Sequence, residues 1–203
     1  MVRLSERFKK VVSLMEAKTE DVIDVLSSIE GIDYAICGGA AVSYWVTGRK
    51  PTLRELDLLI FPDDLEEVKN RLRRMGCSIG GYGGVDIATV AVQCGPLKVD
   101  LLTAEKDWEE EAILKAHKVD GFRIVRPEYL VLMKLRSGRD KDIEDIVLLL
   151  TDLTDVDHEK VKRMVRIYLG RYYEEELEQL IEISKELGRS FGAERIKSFL
   201  GEE

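Results

Sequence analysis

Hydrophobic residues recur at helical spacing in the first thirty positions and at strand spacing in several later runs of the chain. The first part predicts two amphipathic helices, and Thr19 before Glu20 and Asp21 is the expected N-cap of the second. The segment after Gly38-Gly39 is too long and alanine-rich for a strand end, so we expect a helix that starts at the glycines. Short apolar runs bounded by glycine and polar residues predict strands at 34–37, 53–61, 77–79, 85–93, 97–104 and 122–125.

The segment 62–76 carries the clearest helical pattern in the chain. Asp63 is expected as its N-cap, and Glu66 three residues later completes a capping-box pattern. Gly76 fits the position just after the last turn, where a left-handed backbone is common. The glycine-rich segment 81–84 is expected as a turn between two strands.

The pattern becomes helical throughout after Arg126-Pro127. Helical segments run to about residue 153, two amphipathic helices are predicted at about 157–169 and 172–187, and a short final helix follows. We therefore predict an α/β domain over residues 1–126 and a helical subdomain over residues 127–203.

The composition indicates a globular protein and argues against several other classes. The chain has 203 residues, of which 45% are hydrophobic and 34% are charged. Its apolar runs are too short to span a bilayer, and its N-terminus lacks the apolar core and cleavage site of a signal peptide. The net charge of −8 argues against a protein that mainly grips nucleic acid, because phosphate neutralisation requires basic side chains.

The three cysteines, Cys37, Cys77 and Cys94, are odd in number and widely spaced, so we expect no disulfide framework. With only two histidines, no zinc-binding spacing occurs either. We therefore expect a cytoplasmic protein. The scarcity of Asn and Gln among many charged residues is typical of heat-adapted (thermophile) proteins.

Two carboxylates, Glu55 and Asp57, stand one residue apart inside the predicted strand 53–61. Residues i and i+2 of a strand face the same side, about 6.6 Å apart along the chain. Asp100 alternates with apolar neighbours in a later strand, so it also points away from them. If the two strands are adjacent, three carboxylates converge, which is costly unless a hard cation such as Mg²⁺ binds them. The alternative is that each carboxylate is an ordinary solvated side chain.

Gly38-Gly39 lies at a predicted strand-to-helix junction, where backbone N–H groups and a helix N-terminus can meet a phosphate. The pair is not a dinucleotide-binding fingerprint, because the third glycine is absent, and it is not a P-loop, because no Gly-Lys-Ser/Thr follows. The alternative is a tight turn that packs closely.

Together these features resemble the nucleotidyltransferase superfamily related to DNA polymerase β, with Gly-Gly at a helix start, Glu55 and Asp57 on the next strand and Asp100 on a later one. Within it, the chain is most similar to the small prokaryotic branch that includes the AbiEii-type toxin components. The segment 126–150, with Lys134 and the stretch 139–145, is similar to the corresponding helical run of that branch. The resemblance covers roughly residues 20–150.

The resemblance implies an α/β fold with a mixed sheet flanked by helices and a C-terminal helical subdomain. It also implies transfer of a nucleoside monophosphate from an NTP, such as ATP, to an acceptor hydroxyl on a protein, an RNA or a small molecule, with two Mg²⁺ ions. Glu55, Asp57 and Asp100 would hold the metal ions, and Asp100 would also assist deprotonation of the acceptor. Gly38 and Gly39 would contact the β and γ phosphates.

Lys134 would, by the same resemblance, neutralise triphosphate charge from the helical side. The alternative for Lys134 is a solvated lysine on a helix surface. The nearby acids Asp142 and Asp145 are expected to form ion pairs with Arg139 and Lys141. A role as the toxin of a toxin–antitoxin pair would make a cognate antitoxin or a second copy of the chain the partner, and no membrane partner is expected.

The chain departs from the family pattern in three places. The first acid is Glu55 where the family usually has Asp, and Ala40 follows Gly-Gly where a hydroxyl residue is common. Thr52 stands one position early, with Leu53 in its place. These departures leave open a catalytically inactive relative that acts as a binding or regulatory protein. A further alternative is an RNA-binding helical module that uses the basic and aromatic stretch 162–173.

Overall fold

The computed structural model describes residues 5–15, 17–46, 55–83, 89–153 and 156–200, with the backbone alone at 81–83 and 189–200. The chain divides into two compact units, one formed by Met1–Tyr44 and Lys50–Leu130 and the other by Trp45–Arg49 and Val131–Glu203. The two units divide between Leu130 and Val131, inside the helix Pro127–Ser137. The predicted domain boundary, after residue 126, lies at the start of this helix and stays a prediction. Thr52 and Leu53, where the sequence departs from the family pattern, lie outside the described residues.

Helices and strands alternate in the first part of the chain, and helices alone follow. The helices are α1 (Glu6–Ser13), α2 (Thr19–Ser28), α3 (Gly38–Trp45), α4 (Leu65–Arg74), α5 (Asp107–Leu114), α6 (Pro127–Ser137), α7 (Asp140–Asp152), α8 (His158–Tyr168) and α9 (Arg171–Leu200). The strands are β1 (Tyr34–Ile36), β2 (Glu55–Ile60), β3 (Ser78–Gly83), β4 (Thr89–Cys94), β5 (Leu97–Thr103), β6 (His117–Val119) and β7 (Phe122–Ile124).

The strands form one mixed sheet in the order β3-β4-β5-β2-β1-β7-β6 across the described residues. The two strands at its centre, β2 and β5, are parallel, and β1 runs antiparallel to β2. The flanking pairs β3–β4, β4–β5 and β6–β7 are antiparallel. The predicted mixed sheet flanked by helices is therefore confirmed.

Alternating burial explains why the central strands hold their register. In β2, the acids Glu55 and Asp57 alternate with Leu56 and Leu58. The two leucines are fully buried, and the two acids are half-buried. A shift by one residue would turn the acids into the core and the leucines out of it, at a cost of several kcal/mol. The apolar pattern of β2 therefore fixes which face its carboxylates share.

Several predicted boundaries are wrong, for local reasons. Asp63 does not cap a helix: Pro62–Asp64 forms a 3₁₀ turn, and Glu66 bonds Lys69 instead of closing a capping box. The glycines of 81–83 continue strand β3 instead of forming a turn, and β6 was not predicted. The predicted final helix is the continuation of α9, and α2 begins at Thr19 with Lys18 as its N-cap. Gly76, with φ +87°, does end α4 as predicted.

A disulfide joins Cys77 and Cys94, contrary to the prediction of no disulfide framework, and Cys37 is a buried free thiol. The antiparallel register pairs Ser78 with Gln93, so the cysteines just outside that pair face each other across β3 and β4. Spacing along the chain could not reveal this contact, because it depends on how the two strands pair.

Among the described residues, no helix combines the length and the apolar character that crossing a bilayer requires.

Candidate metal and nucleotide site

Two parallel central strands bring the predicted acids together. In the register of β2 with β5, Glu55 lies opposite Lys98 and Asp57 lies opposite Asp100. Because alternate residues of a strand share a face, all four side chains lie on the same side of the sheet. The adjacency that the acidic motif requires is therefore present.

Glu55, Asp57 and Asp100 each offer a carboxylate oxygen, and these three oxygens lie within 4.8 Å of one another. The side chains are half-buried: that of Glu55 is 32% exposed and that of Asp100 is 15% exposed. A half-buried cluster can admit an ion from solvent while keeping its local dielectric low, so charges act on one another more strongly than in water.

The carboxylate of Asp100 carries the clearest sign of an unused ligand position. Its Oδ1 is buried and accepts no hydrogen bond from any described residue, while its Oδ2 contacts Lys98. A buried carboxylate oxygen without a donor costs free energy unless something else binds it. Three hard oxygen donors with one orphaned oxygen fit a divalent ion such as Mg²⁺, which prefers oxygen ligands.

Lys98 lies among the acids of the site, although it was not predicted as a site residue. Its Nζ lies 3.2 Å from Glu55 Oε2 and 3.3 Å from Asp100 Oδ2. Desolvation lowers the pKa of Lys98, but the hydrogen bond to Glu55 and the charges of Asp100 and Glu55 outweigh it and raise the pKa above that of a free lysine. Its position two residues before Asp100 was the available signal, because i and i+2 share a strand face.

Gly38 packs directly against the site. Its φ is +57°, and a Cβ built on it would fall 1.8 Å from Asp57 Oδ2. The left-handed backbone disfavours any residue with a side chain, and the contact with Asp57 leaves no space for a Cβ. Two independent constraints therefore favour glycine at position 38. The next residue, Gly39, continues the first turn of α3, and Ala40 is buried.

The chain reaches this arrangement because β1 ends beside the start of β2. The N–H of Cys37 donates to the carbonyl oxygen of Asp57 at 2.9 Å, and α3 begins at the following residue. The N-terminus of α3 therefore starts beside the acid pair. This matches the expected Gly-Gly junction, and its predicted contact with phosphates stays a prediction.

Lys134 lies in the second unit and is buried, so its alternative interpretation as a solvated lysine is wrong. Its Nζ lies 2.5 Å from Asp142 Oδ1 and 2.8 Å from Asp145 Oδ2, and Arg139 Nε lies 2.7 Å from Asp142 Oδ2. The two acids thus form ion pairs as expected, one of them with the expected Arg139, but the partner that they share is Lys134 and not the expected Lys141. The predicted role of Lys134 at the triphosphate stays a prediction.

The stretch 162–173, predicted as an alternative RNA contact, has its basic groups close to acids. Arg166 lies 3.4 Å from Glu174, and Arg171 lies 2.8 Å from Glu175. Tyr172 is 74% exposed. A basic surface whose charges are offset in this way attracts phosphate weakly, which argues against RNA binding as its main role.

Comparison with known proteins finds a likeness in structure alone. No family model matches the chain, and no curated protein matches it in sequence. The crystal structure of ANT(2'')-Ia in complex with adenylyl-2''-tobramycin matches with a TM-score of 0.54 and 18% identity, covering 76% of this chain and 99% of that one. The solution structure of the antibiotic-resistance factor ANT(2'')-Ia gives the same TM-score and identity over 84% and 97% of the two chains. At this identity the likeness concerns the fold: the chain has the α/β fold of nucleotidyltransferases.

Proposed function

We propose that this protein is a Mg²⁺-dependent nucleotidyltransferase that moves a nucleoside monophosphate from an NTP to an acceptor hydroxyl. The observation that carries the proposal is the convergence of Glu55, Asp57 and Asp100 beside Gly38 at the start of a helix. Carboxylates placed next to the N-terminus of a helix suit a ligand that brings both metal ions and phosphates. The nucleotidyltransferase fold supports this chemistry by analogy.

In the proposed reaction, the acceptor oxygen bonds to the α-phosphorus of the NTP, and the bond from that phosphorus to the bridging oxygen breaks, releasing pyrophosphate. Glu55, Asp57 and Asp100 would hold Mg²⁺, which supplies charge neutralisation for the phosphates. Asp100 would accept the proton of the acceptor hydroxyl, and Gly38 and Gly39 would direct backbone N–H groups at the phosphates. Positioning and charge compensation account for most of the rate in such transfers.

The acceptor class follows only from analogy. The matched ANT(2'')-Ia structure holds an adenylylated tobramycin, so ATP is the nucleotide to test first. The motif likeness to the AbiEii-type branch supports a toxin component with a cognate antitoxin or a second copy of the chain as its partner. Induced expression should then arrest growth of a bacterial host, and Asp57→Asn should relieve the arrest at equal protein level. Equal arrest by the parent and the variant would contradict the toxin role.

Calorimetry with Mg-ATP, repeated with the other NTPs, tests the nucleotidyltransferase proposal. The parent should bind at least one Mg-NTP, while Asp57→Asn and Asp100→Asn should each weaken binding by tenfold or more, because each removes a charged metal ligand. Asp63→Asn is the matched control, since Asp63 is an exposed acid just after β2. If both site variants bind as tightly as the control, the site assignment is wrong.

A second candidate is a catalytically silent relative that binds a partner or regulates one. The observation that favours it is Lys98, whose ammonium already contacts two of the three carboxylates and offsets part of their charge. Glu55 in place of the usual Asp points the same way, since its extra methylene shifts the carboxylate relative to a strict Mg²⁺ geometry. Absence of Mg-NTP binding by the parent at millimolar concentrations would favour this candidate.

A further inference from the structure

Lys98 and Lys134 each bridge a pair of carboxylates, and the surroundings of the two bridges differ sharply. The side chain of Lys134 is 6% exposed and lies 2.5 and 2.8 Å from its partners. That of Lys98 is 41% exposed and lies 3.2 and 3.3 Å from Glu55 and Asp100. Short, buried ion pairs are expensive to break, whereas longer and more exposed pairs contribute little net stability. The ion pairs of Lys98 are therefore easier to break than those of Lys134.

The ammonium of Lys98 and a divalent ion would share two carboxylates, those of Glu55 and Asp100. Lys98 contacts Glu55 Oε2 and Asp100 Oδ2, and both residues belong to the cluster whose oxygens lie within 4.8 Å of one another. Mg²⁺ binds carboxylate oxygens at about 2.0–2.1 Å, so an ion held by these carboxylates would lie close to the ammonium that contacts them. A divalent cation repels an ammonium at such a short distance. Binding of the ion therefore disfavours the contacts that Lys98 makes with Glu55 and Asp100.

We propose that Lys98 is a displaceable counter-ion that holds the acids of β2 and β5 together without metal and leaves when a divalent ion binds. This inference rests on the proposed metal site of the nucleotidyltransferase. Its physical basis is the formal charge of −3 on the acid cluster, which Lys98 partly offsets until the ion does so. The flexible four-carbon stem and the partial exposure of Lys98 allow the ammonium to turn into solvent without disturbing the sheet.

If Lys98 and the metal ion compete for the carboxylates, removal of Lys98 should raise the affinity of the protein for the metal. Titration of the full chain with Mn²⁺ alone, followed by calorimetry or by the electron paramagnetic resonance signal of free Mn²⁺, gives the affinity without any nucleotide. Lys98→Met should bind Mn²⁺ about tenfold more tightly than the parent, because the ion no longer breaks two charged contacts. Lys118→Met, which removes an exposed lysine on β6 of the same unit, should bind like the parent.

The stability of the metal-free protein supplies a second readout. Lys98→Met should unfold at a lower temperature than the parent without metal, because the three carboxylates then repel one another, and Mn²⁺ should raise its Tm by more than it raises that of the parent. Lys98→Arg retains the charge and should behave like the parent in both measurements. A variant with lower metal-free stability but a parent-like Mn²⁺ affinity would assign Lys98 a purely structural role.

The outcomes separate this inference from the proposed function. Mn²⁺ binding by the parent with an equal affinity in Lys98→Met would overturn the displacement model and leave the metal site standing. Absence of Mn²⁺ binding in both proteins would overturn the metal site and the displacement model together. Tighter binding in Lys98→Met, with Lys118→Met unchanged, would support both.

Discussion

The Cα of Gly38 lies against the carboxylate of Asp57, so closely that a Cβ at position 38 would fall 1.8 Å from Asp57 Oδ2 and 2.5 Å from its Cγ. The helix start and the acidic strand are therefore parts of one site. Gly38 places the first turn of α3, and by leaving space it allows Asp57 to keep the position that brings it near Asp100.

Gly38→Ala should disable the site even though it adds only one methyl group. The left-handed φ of +57° costs an alanine about 1–2 kcal/mol, and relief of the contact must move Asp57, since the remaining contact atoms belong to its side chain. We expect a stability loss of about 1–3 kcal/mol and a loss of Mg-NTP binding, measured by denaturant unfolding and calorimetry. Gly31→Ala is the control, because it has a similar φ of +85° and open space for a Cβ. A Gly38→Ala protein that retains parent-like binding would contradict this role.

Lys134→Met should strongly destabilise the protein. Asp142 and Asp145 are almost fully buried and both lie against the ammonium of Lys134, so the substitution removes the cation that the two buried carboxylates share. Breaking a buried ion pair from one side costs about 3–5 kcal/mol, which denaturant unfolding would detect. The control is Lys141→Met, an exposed lysine on the same helix as the two acids. Replacing all three charged residues with apolar ones should recover most of the loss, and a loss below about 1 kcal/mol for Lys134→Met would count against the network.

The ion network predicts a specific acid dependence of stability. Desolvation raises the pKa of Asp142, but the hydrogen bonds from Arg139 and Lys134 and the charge of Lys134 outweigh it, so its pKa lies below the ordinary aspartate value. Because the pKa is lower in the folded state, the interaction contributes stability above the unfolded pKa of about 3.9 and loses it as the pH falls through the folded pKa.

The measurement is the free energy of unfolding between pH 7 and pH 2. The gap between the parent and Asp142→Asn should stay constant above about pH 5 and shrink as the pH falls below about 4. Asp140→Asn, an exposed acid at the start of the same helix, should show no comparable change. A gap that is independent of pH down to pH 2 would contradict a lowered pKa of Asp142 in the folded protein.

The disulfide predicts a dependence of stability on redox conditions. Cys77 and Cys94 close a loop over a sequence separation of 17, which corresponds to about 3 kcal/mol in the chain-entropy model. Reductant should lower the unfolding free energy of the parent by about 2–3 kcal/mol, to the value of a Cys77→Ser/Cys94→Ser variant. The double variant itself should not respond to reductant, and a parent that is equally insensitive would show that the bond does not form in solution.

The sequence could predict the acidic cluster because alternation in a strand is a local property. Glu55 and Asp57 share a face whatever else the chain does, and Asp100 alternates with apolar neighbours in the same way. The helices α2 and α4 were predictable for a similar reason, since their apolar faces repeat every three to four residues. Their exact ends were not, because the 3₁₀ turn and the N-cap depend on single hydrogen bonds.

Features that join distant segments were not predictable. The disulfide depends on the antiparallel register of β3 and β4, and the bridge of Lys98 to Glu55 depends on the parallel register of β2 and β5. The sequence allows Lys134 to be either a phosphate ligand or a lysine on the helix surface. Its burial against two carboxylates of α7 excludes the surface lysine, and only the tertiary structure shows that burial.

The sequence by itself determined which face of each central strand is polar, where the first helix after β1 starts, and which three acids project from those polar faces. The tertiary structure alone decided that Asp57 lies opposite Asp100, that Gly38 closes against Asp57, and that Lys98 lies between two of the acids. The physical reason is that alternation and helical period act within a few residues, whereas strand pairing sets distances between segments that are far apart in the chain, and only the packed sheet fixes that pairing.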